Sequence, residues 1–192
     1  MEANDFITLV ISSLALLVSG LVYWESNYVF KLDTVLGKHA KLGLIGTDGK
    51  IYPLIMANVT FINNGGKTDS IEDTKLLVEI NGNGVATYEH EFITAREFTD
   101  IYNNNAQSTE ILPIIVNGKS NTLKRYGFQA IPKINQEMIP VKFNVKLTLY
   151  VKLHGRWIKQ KQYQCKNISN VWQNLNPVGA FEEKIISLVE VN

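Results

Sequence analysis

The sequence predicts an all-β domain, an antiparallel β-sandwich, preceded by one N-terminal transmembrane helix. Three observations carry that expectation. Residues 6–24, FITLVISSLALLVSGLVYW, hold no charge, and 14 of the 19 are apolar or aromatic. Residues 141–153 alternate apolar and polar side chains without a break. Most other segments are short period-two stretches divided by Gly/Asn turns, with no clear helical pattern beyond the first. A length of 192 residues allows one ordinary domain with a short appendage. An apolar fraction of 45% and a mean hydropathy of −0.03 exclude both a disordered chain and a multi-span membrane protein. One cysteine excludes an internal disulfide framework and a cysteine-rich zinc site. A net charge of +1 excludes a strongly basic nucleic-acid binder by overall composition.

The elements follow in chain order. Residues 1–25 are a short tail and the helix. Phe6–Trp24 spans about 28 Å as a helix, close to the roughly 30 Å hydrocarbon core of a bilayer. Tyr23 and Trp24 fall at its end, where amphipathic rings favour the headgroup layer. A cleaved signal peptide fits poorly, because Glu2 and Asp5 stand where a basic leader should be and no small-x-small site follows. Lys31, Lys38 and Lys41 follow the helix and no lysine or arginine precedes it, which predicts a cytoplasmic domain at the cell membrane. Thr8, Ser12, Ala15 and Ser19 share one helix face, so two helices could approach closely there, as a homodimer or with a partner helix. The plainer reading is that Thr and Ser bond back to their own helix.

Residues 26–39 read as a linker, and the sandwich is expected over 40–192. Lys41–Ile45 is a short strand before the turn GTDGK. Ile51–Asn63 is a longer strand, ended by NNGGKTDS. Thr74–Ile80 is closed by NGNG, and Val85–Phe92 alternates weakly. Ser108–Val116 and Thr122–Ile131 flank the turn NGKSN. In Val141–Leu153 every odd residue is apolar and every even one polar, the mark of one buried and one wet face. His154-Gly155 then turns the chain into a Lys- and Gln-rich strand over 156–165. Residues 181–191 fit a helix or a strand, and the crowding of Ile, Val and Leu favours the strand.

Asn58–Ile80, NVTFINNGGKTDSIEDTKLLVEI, resembles the early strand pair of immunoglobulin-like sandwiches. The layout of one helix followed by such a domain resembles uncharacterised bacterial membrane-anchored proteins. The resemblance implies an architecture and no functional residue, and the Cys–Trp–Cys core of that family is missing.

The sequence offers little catalytic equipment. GGKT at 65–68 lacks the earlier glycine of a P-loop, since Phe61 stands there, and acids follow it. His39, His90 and His154 fall in separate elements without metal-ligand spacing. Cys165 reads as a small apolar strand residue. No catalytic residue, cofactor or metal is expected, and the domain reads as a non-enzymatic interaction or scaffold module. Two rivals remain open: a subunit of an envelope or transport complex, and a small hydrolase or ligand-binding domain. A deep cleft holding His90 or His154 beside a carboxylate would favour the last.

Charge is distributed unevenly. Residues 1–110 hold 7 Lys/Arg against 14 Asp/Glu, whereas residues 111–170 hold 11 against one. Lys142, Lys146, Lys152, Arg156, Lys159, Lys161 and Lys166 could therefore form a basic face for anionic lipid headgroups or an acidic protein, nucleic acid being the less apt partner. The competing expectation is that basic strands lie beside acidic ones and cancel them.

Overall fold

The computed structural model describes residues 3–47, 50–82, 88–102, 107–111, 113–131, 142–169 and 184–191. Helix α1 covers Ala3–Tyr28. Among the described residues twelve strands follow: β1 (Leu32–Thr47), β2 (Lys50–Asn63), β3 (Asp69–Ile71), β4 (Asp73–Gly82), β5 (Tyr88–Phe98), β6 (Ser108–Thr109), β7 (Ile114–Val116), β8 (Ser120–Ile131), β9 (Lys142–Leu153), β10 (Arg156–Ser169), β11 (Lys184–Ser187) and β12 (Val189–Val191). Val85 and Val141 lie outside the described residues, as do residues 181–183 and most of the NNNAQ loop.

The helix runs 26 residues, about 39 Å at 1.5 Å per residue. Its apolar side chains are exposed, and its most apolar 18 residues have a mean hydropathy of 2.2 with none of them buried. It is therefore long and apolar enough to cross a membrane. Three residues separate it from β1, so the expected linker over 26–39 is replaced by the helix end and the first half of β1. The sequence hid this strand because it is bulged. Leu36 pairs with Val59 and Ala40 with Ala57, so residues 37–39 of β1 stand opposite Asn58 alone, and the inward series of even-numbered residues is interrupted at the exposed Lys38.

Ten strands form a single sheet in the order β11-β1-β2-β8-β5-β4-β9-β10-β12, with β6 beside β5, and all its pairings are antiparallel. The two ends of that order meet. β11 lies on β1 and β12 on β10, with Leu188 alone between them, and the Leu188 N–H donates to the Lys38 carbonyl at 2.8 Å. Elsewhere along the seam the Tyr163 hydroxyl accepts the Leu36 N–H at 2.9 Å, and Lys161 reaches Asp33 at 3.4 Å and Glu190 at 3.6 Å. The sheet is thus a nearly closed barrel in place of the two facing sheets of an immunoglobulin-like sandwich. Long twisted strands can hide one apolar face by curling on themselves, which also removes sheet edges. Alternation along a strand reports one buried face and is the same in both architectures. The C-terminal segment is strand, and its pairing with both edges completes the seam.

The interior is filled with side chains. The odd-numbered residues 143–153 of β9 are all buried, as the alternation predicts. Leu76, Val78 and Ile80 of β4 and Phe61, Phe92, Tyr126 and Phe128 from β2, β5 and β8 join the same cluster. Tyr126 packs edge-on against Phe61 and Phe128, with ring centroids 6.4 and 5.9 Å apart. A barrel of this strand number is narrow enough to be filled in this way, which leaves the chemistry to its ends and outer face. The expected strand over 108–116 is two pieces, β6 and β7, with Pro113 between them. β7 pairs with β3, and Ile71, Ile114 and Val116 from this two-stranded sheet join the core.

Candidate functional site at the helix–barrel junction

The residues that turn the chain between strands also receive the end of α1. Asn63, the last residue of β2, is 1% exposed and serves as the hub. Its side-chain oxygen accepts the N–H groups of Lys31 (3.3 Å) and Gly65 (3.0 Å). Its amide donates to the carbonyls of Lys67 (2.7 Å), Asn117 (3.1 Å) and Val116 (3.4 Å). One side chain thus ties together the helix exit, the 64–68 loop and the β7–β8 turn. Backbone bonds repeat the link: Asn64 N–H to the Lys31 carbonyl, Lys67 N–H to Val29 and Lys119 N–H to Gly65.

Glycine is required where these three segments meet. A Cβ on Gly65 would collide with the Val29 carbonyl, one on Gly66 with the backbone of Ser26 and Asn27, and one on Gly118 with the Gly66 carbonyl. The backbones therefore touch at distances that any side chain would forbid. GGKT at 65–68 accordingly serves as a helix seat, which accounts for its glycines without a phosphate loop. The helix is finished at this point by Asn27, whose amide donates to the Tyr23 carbonyl at 2.8 Å, and by Trp24 stacked on Tyr28 at 4.9 Å.

Beside the collar lies an open groove of about 810 Å³, walled by Tyr28, Val29 and Phe30 on one side and by the β9–β10 turn on the other. Leu153, Trp157 and Ile158 give it an apolar floor, and Lys67, Asp69, His154 and Arg156 give it polar groups. The turn is tight: His154 and Gly155 both have positive φ, 49° and 74°. Glu72 accepts the Gly155 N–H at 2.8 Å. His154 Nε2 sits 3.1 Å from the Asp69 carboxylate. Burial alone would raise the Asp69 carboxyl, but the Ser70 N–H, His154 and Lys67 together hold it below the ordinary carboxylate value. This is a histidine beside a carboxylate, but on an open rim: the imidazole side chain is 70% exposed. Neither Ser, Thr nor Cys is among the described residues of this lining.

The other histidines stand apart. His90 lies on β5, paired with Val78, and burial lowers its pKa. His39 lies on β1, its Nδ1 3.4 Å from the Ser187 hydroxyl. Among the described residues no three His, Cys, Asp or Glu side chains converge as metal ligands. Cys165 packs against the core, and burial pushes its thiol pKa up, so it lacks the lowered pKa of a reactive thiolate.

The basic stretch divides into two sets. Lys146 pairs with Glu79 at 3.0 Å, Lys152 with Glu72 at 3.7 Å, and Lys161 with Asp33 and Glu190. β4 and β9 are neighbours in register, so acids of the first half of the chain stand opposite lysines of the second. Lys142, Arg156, Lys159 and Lys166 are exposed and carry no ion pair among the described residues. They are spread from one end of the barrel to the other: Arg156 is at the junction, and Lys142, opposite Ser169, is at the far end. On α1, Thr8, Ser12, Ala15 and Ser19 are all exposed along one face, and the Thr8 hydroxyl donates to the Asn4 carbonyl at 2.8 Å.

Reading the sequence missed Asn63, the three glycines, Lys67 and Asp69. The signal was present as Asn-Asn-Gly-Gly and Asn-Gly between strands. Turn chemistry explained those residues fully, so nothing in the sequence called for a second role. No family model matches this chain, and neither a curated protein nor a solved structure is significantly similar to it.

Proposed function

We propose that this chain is a non-enzymatic, single-pass membrane protein whose β-domain acts as an interaction module held against the bilayer. The observation that carries the reading is the junction. An unbroken apolar helix ends in a collar where backbone meets backbone through Gly65 and Gly66. A flexible tether would leave the domain free to tumble, whereas this seat fixes the barrel end next to the membrane surface. Packing of Ser26 and Asn27 into the collar also argues against a helix that is cut away as a signal sequence. The layout is the one that suggested bacterial membrane-anchored proteins. With Lys31, Lys38 and Lys41 after the helix, the domain lies on the cytoplasmic side in this reading.

Two measurements test it. Alkaline carbonate should leave the full chain in the membrane pellet, and release into the supernatant would overturn the anchor. A C-terminal alkaline-phosphatase fusion should be inactive and a fluorescent-protein fusion bright, and strong phosphatase activity would reverse the orientation.

One observation favours a second reading, a ligand-binding domain: His154 and Asp69 meet in the groove beside two unpaired cations. A soluble anion would be its ligand, and the experiment described next separates the two.

A further inference from the structure

Resting on the membrane-anchor reading, we propose that the groove between the end of α1 and the β9–β10 turn seats the phosphate headgroup of an anionic lipid from the bilayer that the helix spans. Depth is the first argument. Trp24 ends the uncharged stretch, and Tyr28, on the groove wall, is four residues further on, about 6 Å along a helix. The headgroup layer is roughly 5–8 Å thick on each side of the hydrocarbon core, so the groove opens within it.

Chemistry is the second argument. A lipid presents a phosphate above a glycerol and the start of two acyl chains. The groove offers cations on an apolar floor. Lys67 and Arg156 are exposed and, among the described residues, neither forms an ion pair. Trp157 and Ile158, adjacent on β10, are 39% and 43% exposed and give the groove an apolar surface. The Trp157 ring is held in place by the Lys75 ammonium, 4.7 Å from its centroid. A ring fixed at the edge of a groove at headgroup depth is where an amphipathic indole is most favourable. Asp69, on the same lining, feels Lys67 and offsets part of this charge, but its nearest partner is the His154 imidazole at 3.1 Å, and Arg156 makes no ion pair among the described residues.

The test uses the full chain in nanodiscs of mixed phosphatidylglycerol and phosphatidylcholine. Native mass spectrometry then reads the lipid retained after partial stripping. Two cations near an anionic headgroup predict an enrichment of phosphatidylglycerol on the order of tenfold. Lys67→Gln with Arg156→Gln should abolish it. The charge-matched pair Lys142→Gln with Lys166→Gln, toward the far end of the barrel, should leave it intact. Equal retention of both lipids, or equal loss in both double variants, would overturn the groove. Millimolar inorganic phosphate should not displace the retained lipid. Displacement would assign the groove to a soluble anion and overturn the lipid. A chain that never enters nanodiscs overturns the anchor itself, an outcome distinct from insertion without lipid preference.

Discussion

The wall formed by β4, β9 and β10 and the collar around Asn63 are held together by different physics. In the wall, Val78, Leu147, Leu149 and Val151 are fully buried and belong to one apolar cluster. Each contributes by leaving water, an effect without direction that tolerates changes of shape. In the collar, stability rests on five hydrogen bonds to one side chain and on three glycines at backbone contact. Those interactions are directional and allow no substitute. The lesson is that the wall coheres without directional contacts, whereas the hydrogen bonds that join the helix exit to the barrel run through the collar.

The sharpest way to break the comparison is Asn63→Leu. It keeps the branched four-atom side chain and removes every bond, taking the Asn63 partner from five backbone groups, of which the Asn117 carbonyl keeps the Ser120 hydroxyl, at about 1 kcal/mol each or more. We expect about 5 kcal/mol of destabilisation in a denaturant titration of the full chain in detergent. A cost under 2 kcal/mol would mean that water replaces the amide and the hub is dispensable.

Leu147→Ala should follow, at about 2–5 kcal/mol, because the site is buried on all sides. A similar cost for its neighbour Lys146→Ala would mean that the two faces of β9 are not distinct. Gly66→Val separates seat from wall. It should leave the barrel transition within about 1 kcal/mol while exposing residues 28–31 to protease. A local loss of about 1.4 kcal/mol raises cleavage about tenfold. Unchanged proteolysis would show that the close approach is not needed.

The smallest effects are electrostatic. Lys146→Ala should cost within about 0.5 kcal/mol, since its pair with Glu79 is partly solvated. Asp69 titrates below its ordinary value of 3.8 in the folded chain, so its contribution is present above that pH and is lost as pH falls through the folded value. Asp69→Asn should therefore flatten the loss of stability as pH falls below 3.8. An equally steep loss in the variant would place the acid sensitivity elsewhere.

How much of this was legible depends on whether a local rule was left undisturbed. β9 was read from its alternation because no bulge interrupts it and one of its faces is solvated. The sequence predicts a linker where β1 begins because, at its bulge, the exposed Lys38 and His39 interrupt the inward series Thr34, Leu36, Ala40 and Leu42. The His154-Gly155 turn was legible, since positive φ at two successive positions leaves few residue choices. The collar was not, because Gly65, Gly66 and Gly118 are equally well explained as ordinary turn glycines.

The sequence by itself determined the apolar helix, the antiparallel all-β character and the inward face of the longest regular strand. Each follows from periods of a few residues, set by backbone geometry alone. Only the tertiary structure decided that the sheet curls into a barrel, that Lys184–Val191 bridges its two edges, and that an Asn and three glycines seat the helix. Those depend on contacts between residues up to 150 positions apart, such as Leu188 with Lys38. Such long-range pairings leave no repeat in the chain and exist only once the strands have found their register.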